Sequence, residues 1–210
     1  MTDALRTGID LLRLAVDRAA QDNLLAYVAL LDKWNRTHNL TAIRERAQMI
    51  THHVLDSLAV LPHLPERAGL HVADIGSGGG LPGIPLAIAR PDWHVTLIDS
   101  NHKKTAFLTQ AAIELPLPNV DVVTARVEDV LPPSRFDIVI SRAYSTLSNF
   151  TEQTGHLLAP GGRWVAMKGM LPRDEMAALP AAISVEATPS LQVPGVDGER
   201  RLVIMKMAVR

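Results

Sequence analysis

The 210-residue chain contains no cysteine, which excludes disulfides and thiolate metal sites and suits a reducing compartment. It has no run of about 18 apolar residues, so it offers no membrane span. No continuous apolar stretch follows the opening MTDALRTG, so no signal peptide is expected, and the cytoplasm is the expected location. A large charge of either sign is also missing. The formal net charge is −1, so a nucleic-acid partner would have to be held by a local basic patch. His52 and His53 lack a carboxylate or third histidine at ligand spacing, and no metal site is expected. Ser77 lies in Gly-Ser-Gly, but the G-x-S-x-G frame of a nucleophile elbow is absent.

What is present is a soluble globular composition, 47% hydrophobic and 20% charged, long enough for one sizeable core. Leu5, Ile9, Leu12 and Val16 recur at helical spacing. A second helix is expected from an N-cap at Asp22, carrying Leu24, Tyr27, Val28, Leu31 and Trp34, with a polar turn over 34–41. A third is expected from about Arg46 to Leu61, stopped by Pro62 and Pro65. The first 65 residues thus read as a helical cap, with residues 66–210 as the main domain of one compact unit.

After Gly69 the pattern changes to apolar strands alternating with helices. Strands are expected at 70–74, 95–98, 120–123, 136–140 and 163–167, with helices after Gly83, over 103–115 and over 147–158. Such near-continuous apolar strands imply an α/β fold with a parallel sheet covered on both faces. At the end, 183–193 and 201–207 read as an antiparallel pair around a tight turn at Pro194–Gly198.

The stretch from Val72 to Pro85 organises the rest. It starts as a strand, passes five glycines within eight residues and resumes as a helix at Ile84. Glycine alone turns that sharply and lets a ligand touch backbone. Leu81 stands where the dinucleotide fingerprint needs its third glycine, which disfavours a NAD-dependent oxidoreductase. Ligands in such folds bind at the carboxyl ends of the strands. Asp74 precedes the loop and could face an ammonium group or cap the turn. Asp99 ends the second strand at the spacing of a ribose-binding carboxylate, or caps the next helix. Glu128 and Asp129 follow the third strand, Arg142 the fourth and Lys168 the fifth. Arg142 either faces the cleft or pairs with a neighbouring loop.

The run Asp74-Ile75-Gly76-Ser77-Gly78-Gly79-Gly80-Leu81-Pro82-Gly83-Ile84-Pro85 resembles the first motif of the bacterial 16S rRNA guanine-N7 methyltransferases, the glucose-inhibited division protein B family. Asn39-Leu40-Thr41, His53-x-x-Asp56-Ser57, Asp99-Ser100, Arg126-Val127-Glu128, Ser141-Arg142-Ala143 and Lys168-Gly169 match in order, over about residues 20–207. The resemblance implies a Rossmann-like class I methyltransferase: seven strands, mostly parallel with the last antiparallel, plus an N-terminal helical cap. It implies S-adenosyl-L-methionine as cofactor. The acceptor would be a guanine near the decoding region of 16S rRNA, either in the naked RNA or as presented by the small ribosomal subunit or an assembly intermediate. Cofactor contacts would fall on Gly76, Gly78, Leu81, Asp99, Val127, Glu128 and Arg142.

Guanine N7 has a free lone pair, so such a reaction needs no general base, and alignment supplies most of the rate. Arg142 would then orient rather than activate. An arginine bidentate to O6 and N7 would block the nucleophile, so contact with O6 alone or with the cofactor carboxylate is expected. Arg36, His38, Arg44, Arg46, Lys103, Lys104, Arg142, Lys168 and Arg173 form the candidate RNA patch. A monomer is expected. Methylation of another RNA, a protein or a small molecule on the same fold is the alternative, and a non-catalytic RNA-binding module is a further one.

Overall fold

The apolar runs after Gly69 lie side by side in one sheet. The structure is a computed structural model and describes residues 2–208. Its strands are β1 (His71–Ile75), β2 (His94–Asp99), β3 (Val120–Thr124), β4 (Phe136–Arg142), β5 (Leu158–Lys168), β6 (Ile183–Ala187) and β7 (Arg201–Met207). Their order is β3-β2-β1-β4-β5-β7-β6. The first five pair in parallel, and β7 inserts antiparallel to both β5 and β6. The chain leaves β1 toward β2 on one side and returns to β4 on the other. That reversal opens a crevice at the carboxyl ends of these strands.

The helices are α1 (Thr2–Leu11), α2 (Arg18–His38), α3 (Arg46–Met49), α4 (Asp56–Leu58), α5 (Gly83–Ala89), α6 (His102–Glu114), α7 (Leu147–Thr154) and α8 (Arg173–Ala177). Alternate residues of β1 feed two apolar clusters, as the pleat requires. Val72 joins Leu5, Ile9, Leu31, Leu58 and Ile140 on the cap side. Ala73 and Ile75 join Val139, Phe150 and Trp164 on the other. Helical cap and sheet therefore share one continuous core.

The structure corrects several expected boundaries. Asp17, not Asp22, caps α2, its carboxylate accepting the Ala20 N–H at 2.8 Å. The helix also continues through the expected turn at 34–38 and ends at Asn39 in the left-handed region. The third helix is interrupted: a π-helical turn, Ile50–Leu55, separates α3 from α4. The helix expected over 147–158 stops at Thr154, and β5, expected over 163–167, already begins at Leu158 and runs through Pro160–Gly162. The expected turn survives at Pro194-Gly195, where Val196 N–H donates to Val193 O at 3.1 Å, but it does not join the strands directly. Strand β6 ends at Ala187, and residues 188–200 form an irregular link with one bridge, Ser190 to Arg201. Leu191 and Val193 in that link are buried. Their apolar pattern reflects a loop packed on the core rather than a strand.

Candidate active site

The loop after β1 is held from inside. Gly76, Gly78 and Gly80 take positive φ of 67°, 57° and 87°, which side-chain-bearing residues rarely adopt. Gly76 N–H donates to Ile98 O at 2.8 Å and Gly80 N–H to Ser77 O at 2.7 Å. The Ser77 hydroxyl donates to Asp74 O at 2.8 Å. Asp74 is fully buried and turns toward α5, one oxygen accepting the Gly83 N–H at 2.8 Å. Its other oxygen has no hydrogen-bond partner. Burial, opposed by the Gly83 N–H and Arg142, pushes its carboxyl up to about 7. The capping role is thus filled.

Beside the loop lies a cavity of about 350 Å³ lined by Gly76, Asp99, Ser100, Val127, Glu128 and Tyr144, among others, within the size range of small-ligand sites. The Asp99 carboxylate accepts Gly78 N–H at 3.0 Å and Asn101 N–H at 2.9 Å, with Lys104 Nζ 3.7 Å away. These donors fix its orientation while each oxygen keeps a free lone pair. Val127 and Glu128 enter on a 3-10 turn, Val127–Asp129, with the Val127 side chain buried. Tyr144 closes the wall, its hydroxyl donating to Gln153 Oε1 at 2.9 Å. A Cβ built on Gly76 would lie 2.8 Å from Tyr144 Cδ2, so only glycine fits between loop and ring.

A second cavity of about 480 Å³ adjoins the first, and Ala143 lines both. Its walls include Arg142, Lys168, Arg200, Arg201, His53 and Asp56. Arg142 Nη1 donates to the His52 carbonyl at 3.1 Å and lies 3.5 Å from Asp56 Oδ2. Arg200 Nε lies 3.3 Å from Asp56 Oδ1, a charge contact whose angles do not make a hydrogen bond. Burial pushes the Asp56 carboxyl up, against the pull of both guanidiniums. Lys168 Nζ donates to Ser145 O at 3.0 Å and to Glu175 Oε2 at 2.9 Å. Burial and Arg142 lower His53 to about 4, so its imidazole is neutral, with Nε2 2.8 Å from the Thr41 hydroxyl.

Of the residues named from sequence, Gly76, Asp99, Val127 and Glu128 line the first cavity. Gly78 meets it through Asp99, whereas Leu81 is buried in the core beneath the loop. Arg142 lines the second cavity and pairs with the cap. Much of the candidate RNA patch is engaged within the protein. Arg36 and Arg46 pair with Asp32, Arg44 donates to Asn35 O and Asn39 Oδ1, and the His38 ring lies tilted against Trp34, 5.0 Å between centroids. Sequence reasoning missed Tyr144, Gln153 and Arg200, which carry no local motif. It passed over Asp56, whose place in His53-x-x-Asp56-Ser57 was the available signal. Among the described residues, no three His, Asp or Glu side chains group to hold a metal. No helix among them is long and apolar enough to cross a membrane.

A family model described as rRNA small subunit methyltransferase G matches residues 20–204. Curated proteins named ribosomal RNA small subunit methyltransferase G from Laribacter hongkongensis and Neisseria meningitidis are 52% and 53% identical over 203 residues, 97% of each chain. Among solved structures, a SAM-dependent methyltransferase from Aquifex aeolicus superposes with a TM-score of 0.60 at 17% identity, covering 85% of this chain and 98% of that one. TrmN from Thermus thermophilus gives 0.58 at 21%, covering 72% and 48%. At such identities these two share the fold alone. Sequence and architecture agree: the chain belongs to the rRNA small subunit methyltransferase G family.

Proposed function

We propose that this chain transfers a methyl group from S-adenosyl-L-methionine to N7 of one guanine of 16S rRNA near the decoding region. It does so as a monomer in the cytoplasm, on the small subunit or an assembly intermediate. In this reading residues 1–65 are the cap and 66–210 the transfer domain. The observation that carries the reading is the pair of adjoining cavities joined at Ala143, one glycine- and carboxylate-lined, the other cationic. Family membership supports it.

The first cavity fits the cofactor's chemistry. Asp99 is oriented to accept two ribose hydroxyls, and Val127 and Glu128 flank the place of an adenine. The bare Cα of Gly76 lets backbone approach a ligand closely. When bound, S-adenosyl-L-methionine supplies a methyl group already activated on a sulfonium. Guanine N7 presents an in-plane lone pair, so no residue has to remove a proton there. The ionisable groups nearby agree: Asp74 is buried against α5, and His53 is occupied by Thr41. Arg142, Lys168, Arg200 and Arg201 present positive charge to an anionic acceptor. Arg142 sits beside the shared Ala143, where it orients the base from its O6 side. The rate gain then comes from holding acceptor and donor in line.

The test uses small subunits from cells lacking the enzyme, with labelled S-adenosyl-L-methionine. One N7-methylguanine in 16S rRNA is expected. Tight cofactor binding with no label in small-subunit RNA would transfer the reading to another acceptor. Binding of NADH in preference to S-adenosyl-L-methionine would overturn the methyltransferase reading itself.

A further inference from the structure

Three distant segments meet at one buried carboxylate. Asp56 opens α4 directly after the π-helical turn and is 4% exposed. Arg142 reaches it from the carboxyl end of β4, and Arg200 reaches it from the link before β7. The side chains are 86 and 144 positions apart from it in sequence, so only the fold unites them. Each guanidinium faces a different oxygen, Arg142 at Oδ2 and Arg200 at Oδ1. A second donor–acceptor contact, Arg142 Nη1 to the His52 carbonyl, ties Arg142 to the π-helical turn itself.

We propose that Asp56 is a positioning residue: it holds Arg142 and Arg200 at the wall of the second cavity and so completes the acceptor site across cap, sheet and tail. The inference rests on the cavity assignment given above. Asp56 is almost wholly buried in that wall, so it acts through the two arginines. Without it, two like charges would share a wall with Lys168 and Arg201 nearby, and each long side chain would regain its rotamer freedom. The other cations are held by carboxylates of their own, Lys168 by Glu175 and Arg201 by Glu199. Asp56 serves two of the cations at this cavity, so its removal frees both at once.

Charge alone and positioning predict opposite signs. Removing a carboxylate from a cationic cavity should tighten RNA by electrostatics. Removing a positioning group should misplace Arg142 and lower turnover, and a misplacement of about 1 Å costs on the order of 100-fold. The experiment compares wild type, Asp56→Asn, Arg200→Gln and the double variant. Expected for Asp56→Asn are cofactor affinity within about twofold of wild type and kcat/KM for small-subunit RNA lowered about 10- to 100-fold. The double variant should lose little more than the worse single one, because both act through one clasp.

Unchanged or raised kcat/KM in Asp56→Asn would overturn the proposal. So would a parallel collapse of cofactor affinity, which marks a general structural defect. A readout independent of substrate separates this from the functional reading. The arginine Nε–H resonances of Arg142 and Arg200, assigned with Arg→Lys variants, should be resolved in wild type and collapse toward free arginine in Asp56→Asn. If wild type methylates no small-subunit RNA, the functional reading fails, and these resonances still decide whether the clasp exists.

Discussion

The Tyr27 hydroxyl donates to the carbonyl of Gly79, 52 residues away, at 2.5 Å. Both groups are buried, and Leu31, one turn further along α2, packs against the same glycine. The cap thus grips the glycine loop from behind. Burial pushes the Tyr27 phenol far above its ordinary range, so it stays a neutral donor at every working pH. Motion of the cap relative to the sheet would therefore be felt in the glycine loop beside the first cavity.

Replacing Tyr27 with Phe leaves that carbonyl buried without a donor. The expected cost is about 1–3 kcal/mol, or a melting temperature lower by roughly 2–10 °C for a chain of this size. Cofactor affinity should fall with it, because the loop loses its backing. Calorimetry and cofactor titration of the same variant check both; a lower melting temperature with intact affinity would confine the bond to stability.

Gly76 takes φ +67°, and a Cβ there would lie 2.8 Å from Tyr144. Gly76→Ala should therefore weaken S-adenosyl-L-methionine binding by roughly 5- to 150-fold, given strain of roughly 1–3 kcal/mol. Adding Tyr144→Ala relieves the collision but not the backbone strain, so it should restore affinity only in part. Full restoration would show that the ring alone was responsible.

Both oxygens of Asp99 accept backbone N–H groups. In Asp99→Asn one of those N–H groups, of Gly78 or Asn101, must face an amide NH₂. Cofactor affinity should fall about 10- to 100-fold, the loss expected when a buried charge-assisted pair becomes a donor–donor contact. Activity at saturating cofactor should largely recover. A variant whose kcat falls while its cofactor affinity holds would remove Asp99 from the binding role.

The buried ionisable groups give stability a pH signature. Asp74 holds its proton up to about 7 in the fold against an ordinary 3.8. The native state then binds more protons, so the Asp74 contribution is lost as pH rises between those values. His53 acts in the opposite sense: lowered from 6.5 to about 4, it favours the fold as pH rises through that window. Asp74→Asn removes the first and leaves the second. Its urea midpoint should climb more steeply than wild type from pH 4 to pH 7. Parallel curves would show that Asp74 carries no such linkage.

Periodicity made most of the sheet legible, because strands buried on both faces must be apolar along their length. It held at 183–187 but failed beyond, where Leu191 and Val193 are buried in a loop, and at the third helix, whose π-helical turn leaves the apolar pattern unchanged. The glycine loop and Asp99 were readable because turn and carboxylate lie at a fixed spacing along the chain. Arg142 was readable as a charge after an apolar run and through the Ser141-Arg142-Ala143 resemblance. The structure shows both of its readings at once: it lines the second cavity and pairs with Asp56 of the cap.

The sequence by itself determined the fold class, the family and the loop that faces the first cavity, since these depend on local backbone demands and short-range order. Tertiary structure alone decided what stands around the second cavity. Asp56, Arg142 and Arg200 are brought together by closure of the cap and return of the tail. Such a contact is a matter of side-chain reach across the folded chain, and no spacing along the sequence encodes it.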